Sequence, residues 1–121
     1  ELHGGLPALS LPSMIGFHTA FNNDDNPEFA FAQQVVAFGR PGDVLLGIST
    51  SGNSSNIVHA ARAAQAMELP VISLTGENGG RLAPVADCAI KAPSQQTPRI
   101  QELHLPIYHA LCQVVEDSLF S

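Results

Sequence analysis

The chain is 121 residues long, 45% hydrophobic and 13% charged, the size and balance of one folded domain rather than of a disordered or low-complexity protein. Five basic residues against eleven acidic ones leave a formal charge of −6, which excludes the basic footprint of a nucleic-acid binder and predicts no attraction to an anionic membrane surface. The apolar runs are short and interrupted, so no segment is expected to span a bilayer, and no charged-then-apolar leader pattern is visible.

The first residue is Glu1 rather than Met, so the expectation is a processed start or a piece of a longer polypeptide. Pro7–Leu11 reads as a short strand after the Gly4-Gly5 turn. Met14, Ile15, Phe17 and Phe21 recur at helical spacing over Ser13–Phe21, with Ser13 as N-cap. Asn22–Asn26 is a polar loop. Pro27 opens a second helix that runs to about Phe38 and stops at Gly39.

Arg40–Asp43 is a turn, and Val44–Ile48 is an apolar run of the kind expected of a strand covered on both faces. After a Ser/Gly/Asn loop, Ile57–Met67 is Ala-rich, with Ile57, Ala60, Ala61, Ala64 and Met67 on one stripe. Pro70–Leu74 is a second buried strand, followed by a glycine-rich turn over Thr75–Gly80 and one helical turn over Leu82–Ala86. Cys88–Ala92 is a weaker strand. Thr97-Pro98 starts a long helix that continues to about Phe120 through Ile100, Leu103, Ile107, Leu111, Val114 and Val115. Cys88 and Cys112 form no Cys-x-x-Cys pair, and both are expected to be small buried thiols in a reducing cytosol.

Alternating strands and helices, with apolar strands, predict an α/β fold: a three-layer sandwich around a parallel, doubly wound, flavodoxin-like sheet with a long C-terminal helix. Residues 1–121 form one domain. About four strands make a thin sheet with an open edge, which oligomerisation or a further N-terminal segment would cover.

The stretch richest in chemistry is Gly47–Asn56, between a strand and a helix. Ser49, Thr50, Ser51, Ser54 and Ser55 place five hydroxyls within seven residues, and Gly52 lets the backbone turn or approach a ligand. The first amides of the following helix point back at this loop and favour an anion. No Lys and no Gly-Lys-Ser/Thr ending is present, so this is no nucleoside-triphosphate loop; GxGxxG is absent too. A neutral hydroxyl-rich cradle suits one phosphate monoester. The plainer alternative is a polar turn in which Ser54 or Asn56 caps a helix.

The run Gly42-Asp43-Val-Leu-Leu-Gly-Ile-Ser-Thr-Ser-Gly-Asn-Ser54, with Val71-Ile-Ser-Leu-Thr-Gly76 after it, resembles the sugar isomerase (SIS) domain. Arg99-Ile-Gln-Glu-Leu-His104 with His109, and Asn23-Asp24 earlier, resemble its phosphoheptose isomerase branch. The resemblance implies that Ser49, Thr50, Ser51 and Ser54 hold a substrate phosphate and that Asn23 and Asp24 touch the sugar. It implies that Gln101 binds substrate and shares a zinc ion with His109, and that His109 is also the catalytic acid/base. The implied reaction interconverts sedoheptulose 7-phosphate and D-glycero-D-manno-heptose 7-phosphate through an enediol, toward heptose and lipopolysaccharide precursors. The implied enzyme is cytoplasmic and homotetrameric.

The family's N-terminal helix and first strand–loop unit, which carry its Gly-Asn-Gly-Gly-Ser loop and a further His and Glu ligand, have no counterpart in the sequence. The remaining zinc ligands are therefore expected from that part. Gln101 and His109 lie eight residues apart, about 80° around a helix and about 12 Å along it, with Pro106 between them to remove a helical hydrogen bond. His104 is expected to pack or hydrogen-bond near the site, and His59 to be solvated or partly buried. Two other classes remain open: a non-catalytic scaffold of the same fold that binds a replication initiator protein, and a sugar-phosphate sensor.

Overall fold

In a computed structural model the chain is described over residues 4–24 and 26–120, apart from the side chains at positions 15, 19 and 22–24. Three parallel strands form its sheet in the order β1 (Leu45–Ile48), β2 (Val71–Thr75), β3 (Cys88–Lys91). Leu45 stands opposite Val71, and Ile72 opposite Cys88. The central strand is the most buried: Val71, Ser73, Leu74 and Thr75 are all inaccessible. Four α-helices accompany the sheet: α1 (Ile15–Asp24), α2 (Ala30–Phe38), α3 (Ser55–Ala66) and α4 (Thr97–Phe120). With helices on both sides of a parallel sheet, this is the predicted α/β architecture.

The core lies between one sheet face and the α2–α3 pair. Val58, Ala60, Ala61 and Ala64 of α3 meet Val35 of α2, Leu69, Val71 and Leu82. Three alanines on one stripe remove the bulk that would hold the α2 backbone away, so the helix predicted from alanine spacing is also the best packed one. Side chains alternate along the strands. Leu45, Gly47 and Val71 face α3, where Gly47 lies against the Ile57 methyl. Leu46, Ile48, Ile72 and Leu74 therefore face the other way.

Val44–Ile48 is expected to be covered on both faces, and β1 is not. Leu46 and Ile48 are 43% and 45% exposed, so the strand is covered on one face and sits at a sheet edge. Its continuous apolar run cannot reveal which neighbours are present.

Pro7–Leu11 is not a strand. Residues 7–10 pair with neither edge of the sheet, and Leu11–Ser13 is a short 3-10 turn. The Leu11 carbonyl, which a strand would offer to a neighbour, accepts from Gln34 Nε2 at 3.1 Å and from His18 Nε2 at 3.0 Å. Ser13 does not cap α1: it lies within the 3-10 turn, and its hydroxyl donates backward to the Ser10 carbonyl. The helix continues over Asn22–Asp24, where a loop was expected. Beyond Asn26, whose side chain accepts from the Glu28 amide, a 3-10 turn at Pro27–Phe29 precedes α2.

Both thiols are exposed, contrary to expectation. Cys88 lies on the edge strand β3, and Cys112 lies on a part of α4 that little else touches. Only Ile100 and His104 of that helix are buried, and Leu105, Val114, Val115 and Leu119 are exposed. The helix runs through Pro106 without a break.

Leu82 is fully buried against α3 and Gly47. Leu82→Ala should lower unfolding free energy by about 2–5 kcal/mol, as truncations in packed cores do. Val36→Ala, on the exposed side of α2, should change it by less than about 0.5 kcal/mol. Urea denaturation of the two variants against the parent checks both values.

Candidate functional site

At the carboxyl end of β1 the chain leaves the sheet at Ser49, whose amide still bonds the Leu74 carbonyl at 3.0 Å. The next five residues complete the Ser-rich loop, and α3 begins at Ser55. Ser49 is buried, and its hydroxyl organises the loop. It accepts from the Gly52 amide at 3.1 Å and lies 3.0 Å from the Ser54 hydroxyl. Ser51 Oγ accepts from the Asn53 amide at 3.0 Å.

Ser54 occupies the N-cap position of α3, yet its side chain caps nothing. It turns to Ser49 instead. Asn56 bonds only the neighbouring Ile57 amide. Among the described residues the amides of Ser55 and Asn56 thus have no acceptor. Such unpaired first-turn donors, together with the helix dipole, attract an anion. A hydroxyl that could cap but does not is the feature that separates an open cradle from a plain turn.

A second loop, residues 76–82, locks the first. Gly76 N donates to the Thr50 carbonyl at 2.9 Å, and Leu82 N to the Gly52 carbonyl at 2.9 Å. Arg81 binds Asn53 twice: its amide donates to Asn53 Oδ1, and its guanidinium to the Asn53 carbonyl, each at 2.9 Å. The same guanidinium nitrogen is 3.3 Å from Ser55 Oγ. Gly52, at φ +72, lies so close to this loop that a Cβ there would be driven into the Gly79 carbonyl. A Cβ on Gly80 would meet the Ser51 oxygen at 2.5 Å. Sequence reading found the serines but not this clamp. The signal was present as Gly79-Gly80-Arg81, but nothing in local spacing tells which loop it meets.

The first turn of α4 borders the same region. Ile100 packs on Gly76, and buried His104 donates Nε2–H to the Thr75 carbonyl at 2.8 Å. The role expected for His104, a hydrogen bond near the site, is what the structure holds. Gln101 follows Ile100 and is exposed. His109 is also exposed, two turns further on, with its ring edge-on to Tyr108. Among the described residues no contact joins His109 to the serine loop. The side chains of Asn23 and Asp24 lie outside the described residues.

Among the described residues no three His, Cys, Asp or Glu side chains converge as a metal site. Gln101 and His109 supply at most two donors, one of them a neutral amide, against the four of a tetrahedral zinc site. On their own these residues do not fit a zinc ion. Two further histidines are structural: His18 holds Leu11, and His59 lies 4.5 Å from the Phe29 ring and 4.0 Å from Glu28.

A sequence profile described as the SIS domain matches residues 5–76. The phosphoheptose isomerase of Rhodospirillum rubrum is 47% identical over 116 residues, which are 96% of this chain and 62% of the relative. A solved phosphoheptose isomerase from Francisella tularensis superposes with a TM-score of 0.90 at 38% identity, covering 95% of this chain and 62% of the other. The enzyme from Neisseria gonorrhoeae gives 0.85 at 42%, covering 88% and 61%. The chain spans 58–62% of the length of three curated relatives.

Gly52→Ala tests the locked geometry. A β-carbon at positive φ, pressed on a backbone carbonyl, should cost at least about 2 kcal/mol. It should also abolish phosphate binding in the fraction that stays folded. Thermal unfolding with and without inorganic phosphate reads both effects.

Proposed function

We propose that this chain, which belongs to the SIS domain family through the match over residues 5–76, is the larger part of a sedoheptulose 7-phosphate isomerase. The observation that carries the reading is the cradle at the end of β1, whose Ser54 hydroxyl leaves the α3 N-terminus uncapped. Phosphoheptose isomerases at 38–47% identity over nearly the whole chain support it.

In this reading the phosphate of the sugar is held by Ser49, Thr50, Ser51 and Ser54 and by the amides of Ser55 and Asn56. Such binding uses oriented dipoles, needs no proton transfer, and holds substrate and product alike. It fixes the far end of the sugar so that its carbonyl end is presented elsewhere. Asn23 and Asp24 contact the sugar hydroxyls, and Gln101 contacts the substrate from the first turn of α4. His109 is the acid/base: it takes a proton from one of two adjacent carbons and returns it to the other, through an enediol.

A zinc ion is part of the proposal. Gln101 and His109 would give two ligands and a part of the protein outside these residues the others; its chemistry would be to polarise the carbonyl oxygen. The assembly is a homotetramer in this reading, supported by Leu105, Val114, Val115 and Leu119, which lie exposed along α4. The location is cytoplasmic in this reading. No helix among the described residues is long and apolar enough to cross a membrane.

The test is turnover by the full-length protein. It should convert sedoheptulose 7-phosphate, and His109→Ala should reduce turnover by about 10²- to 10⁴-fold, the worth of a general acid/base, with the affinity for inorganic phosphate unchanged. Ser51→Ala with Ser54→Ala should weaken phosphate affinity by about tenfold or more, the loss of two hydrogen bonds to a charged group. Phosphate binding without turnover would favour the sensor, and neither would favour the scaffold.

A further inference from the structure

The carbonyl oxygens of the serine loop are a hazard to an anion, because each is the negative end of a peptide dipole. Three of them are engaged from one side. Thr50 O is held by Gly76 N, Gly52 O by Leu82 N, and Asn53 O by the Arg81 guanidinium, each at 2.9 Å. No peptide bond among the described residues is cis, so each carbonyl drawn toward residues 76–82 turns the next N–H the opposite way. The amides so turned are those of Ser51, Asn53 and Ser54, of which the Asn53 amide donates to Ser51 Oγ at 3.0 Å. A loop with its oxygens tied on one side and its N–H groups on the other is a nest for a negative ion.

We propose that Arg81 is a positioning residue for this cradle: it fixes Asn53 and Ser55 so that the Ser54 amide and the start of α3 face the phosphate. The assignment rests on the cradle reading given above for residues 49–56. Arg81 holds both oxygens of Asn53, one through its amide and one through its guanidinium. A charged donor on a carbonyl also polarises that peptide and strengthens the N–H beyond it. A loop with no lysine or arginine of its own thereby borrows a cation from 28 residues away, without placing it on the ligand.

The probe is inorganic phosphate, titrated into the full-length protein by calorimetry, with amide hydrogen exchange of residues 50–56 measured in the ligand-free state. Arg81→Ala should raise the phosphate Kd about tenfold, by loss of two charge-assisted hydrogen bonds, and speed exchange across 50–56. Arg81→Lys, which keeps one charged donor, should recover part of both. Arg62→Ala removes the same charge from the exposed side of α3 and should alter neither. Equal losses in the Arg81 and Arg62 variants would reduce the effect to bulk charge and overturn the proposal, as would unchanged exchange in Arg81→Ala. If the parent itself binds no phosphate while exchange still rises in Arg81→Ala, the clamp stands and the cradle reading falls. Should Arg81→Ala fail to fold, the same measurements on Arg81→Lys decide.

Discussion

The contact between the Ser51–Asn53 backbone and the Gly79–Leu82 backbone is the constraint on which the site depends. The two loops approach so closely that side chains are excluded at Gly52 and Gly80, and their hydrogen bonds run across the gap. β1 and β2 deliver these loops from adjacent positions at the same end of the sheet, as a parallel pairing requires. Parallel pairing thus does more than build the core. It brings a hydroxyl-rich loop and a donor-rich loop side by side, and each gives the other a shape it would not hold alone.

In the proposed reading the same arrangement lets a chain of net negative charge receive an anion. Attraction need not come from a lysine in the binding loop. Orientation of neutral dipoles suffices when carbonyl oxygens are held away and first-turn amides are left open. The cost of leaving those amides unpaired is local, and the Ser49 hydroxyl limits it by bridging Gly52 and Ser54.

Much of this was legible in the sequence, and the misses share one cause. The buried stripe of α3, the central strand β2, the long helix after Thr97 and the serine loop all follow from periodicity and local composition. Pro7–Leu11, short and apolar after the Gly4-Gly5 turn, shows only that it could pair, whereas a strand exists only beside a partner. Val44–Ile48 was correctly a strand but wrongly one covered on both faces, since hydropathy cannot separate a buried position from one awaiting cover. Ser13 looked like a cap and instead closes a turn behind itself. Arg81 went unnoticed because its partners are distant in the chain. Local patterning specifies elements, while pairing, cover and long-range polar contacts depend on the whole fold.

Cys88 and Cys112 are the chain's two cysteines and both face solvent. One is fixed to the sheet, and the other rides on the part of α4 that stands clear of the core. A fluorophore on each would turn the angle between helix and sheet into a distance readable in solution.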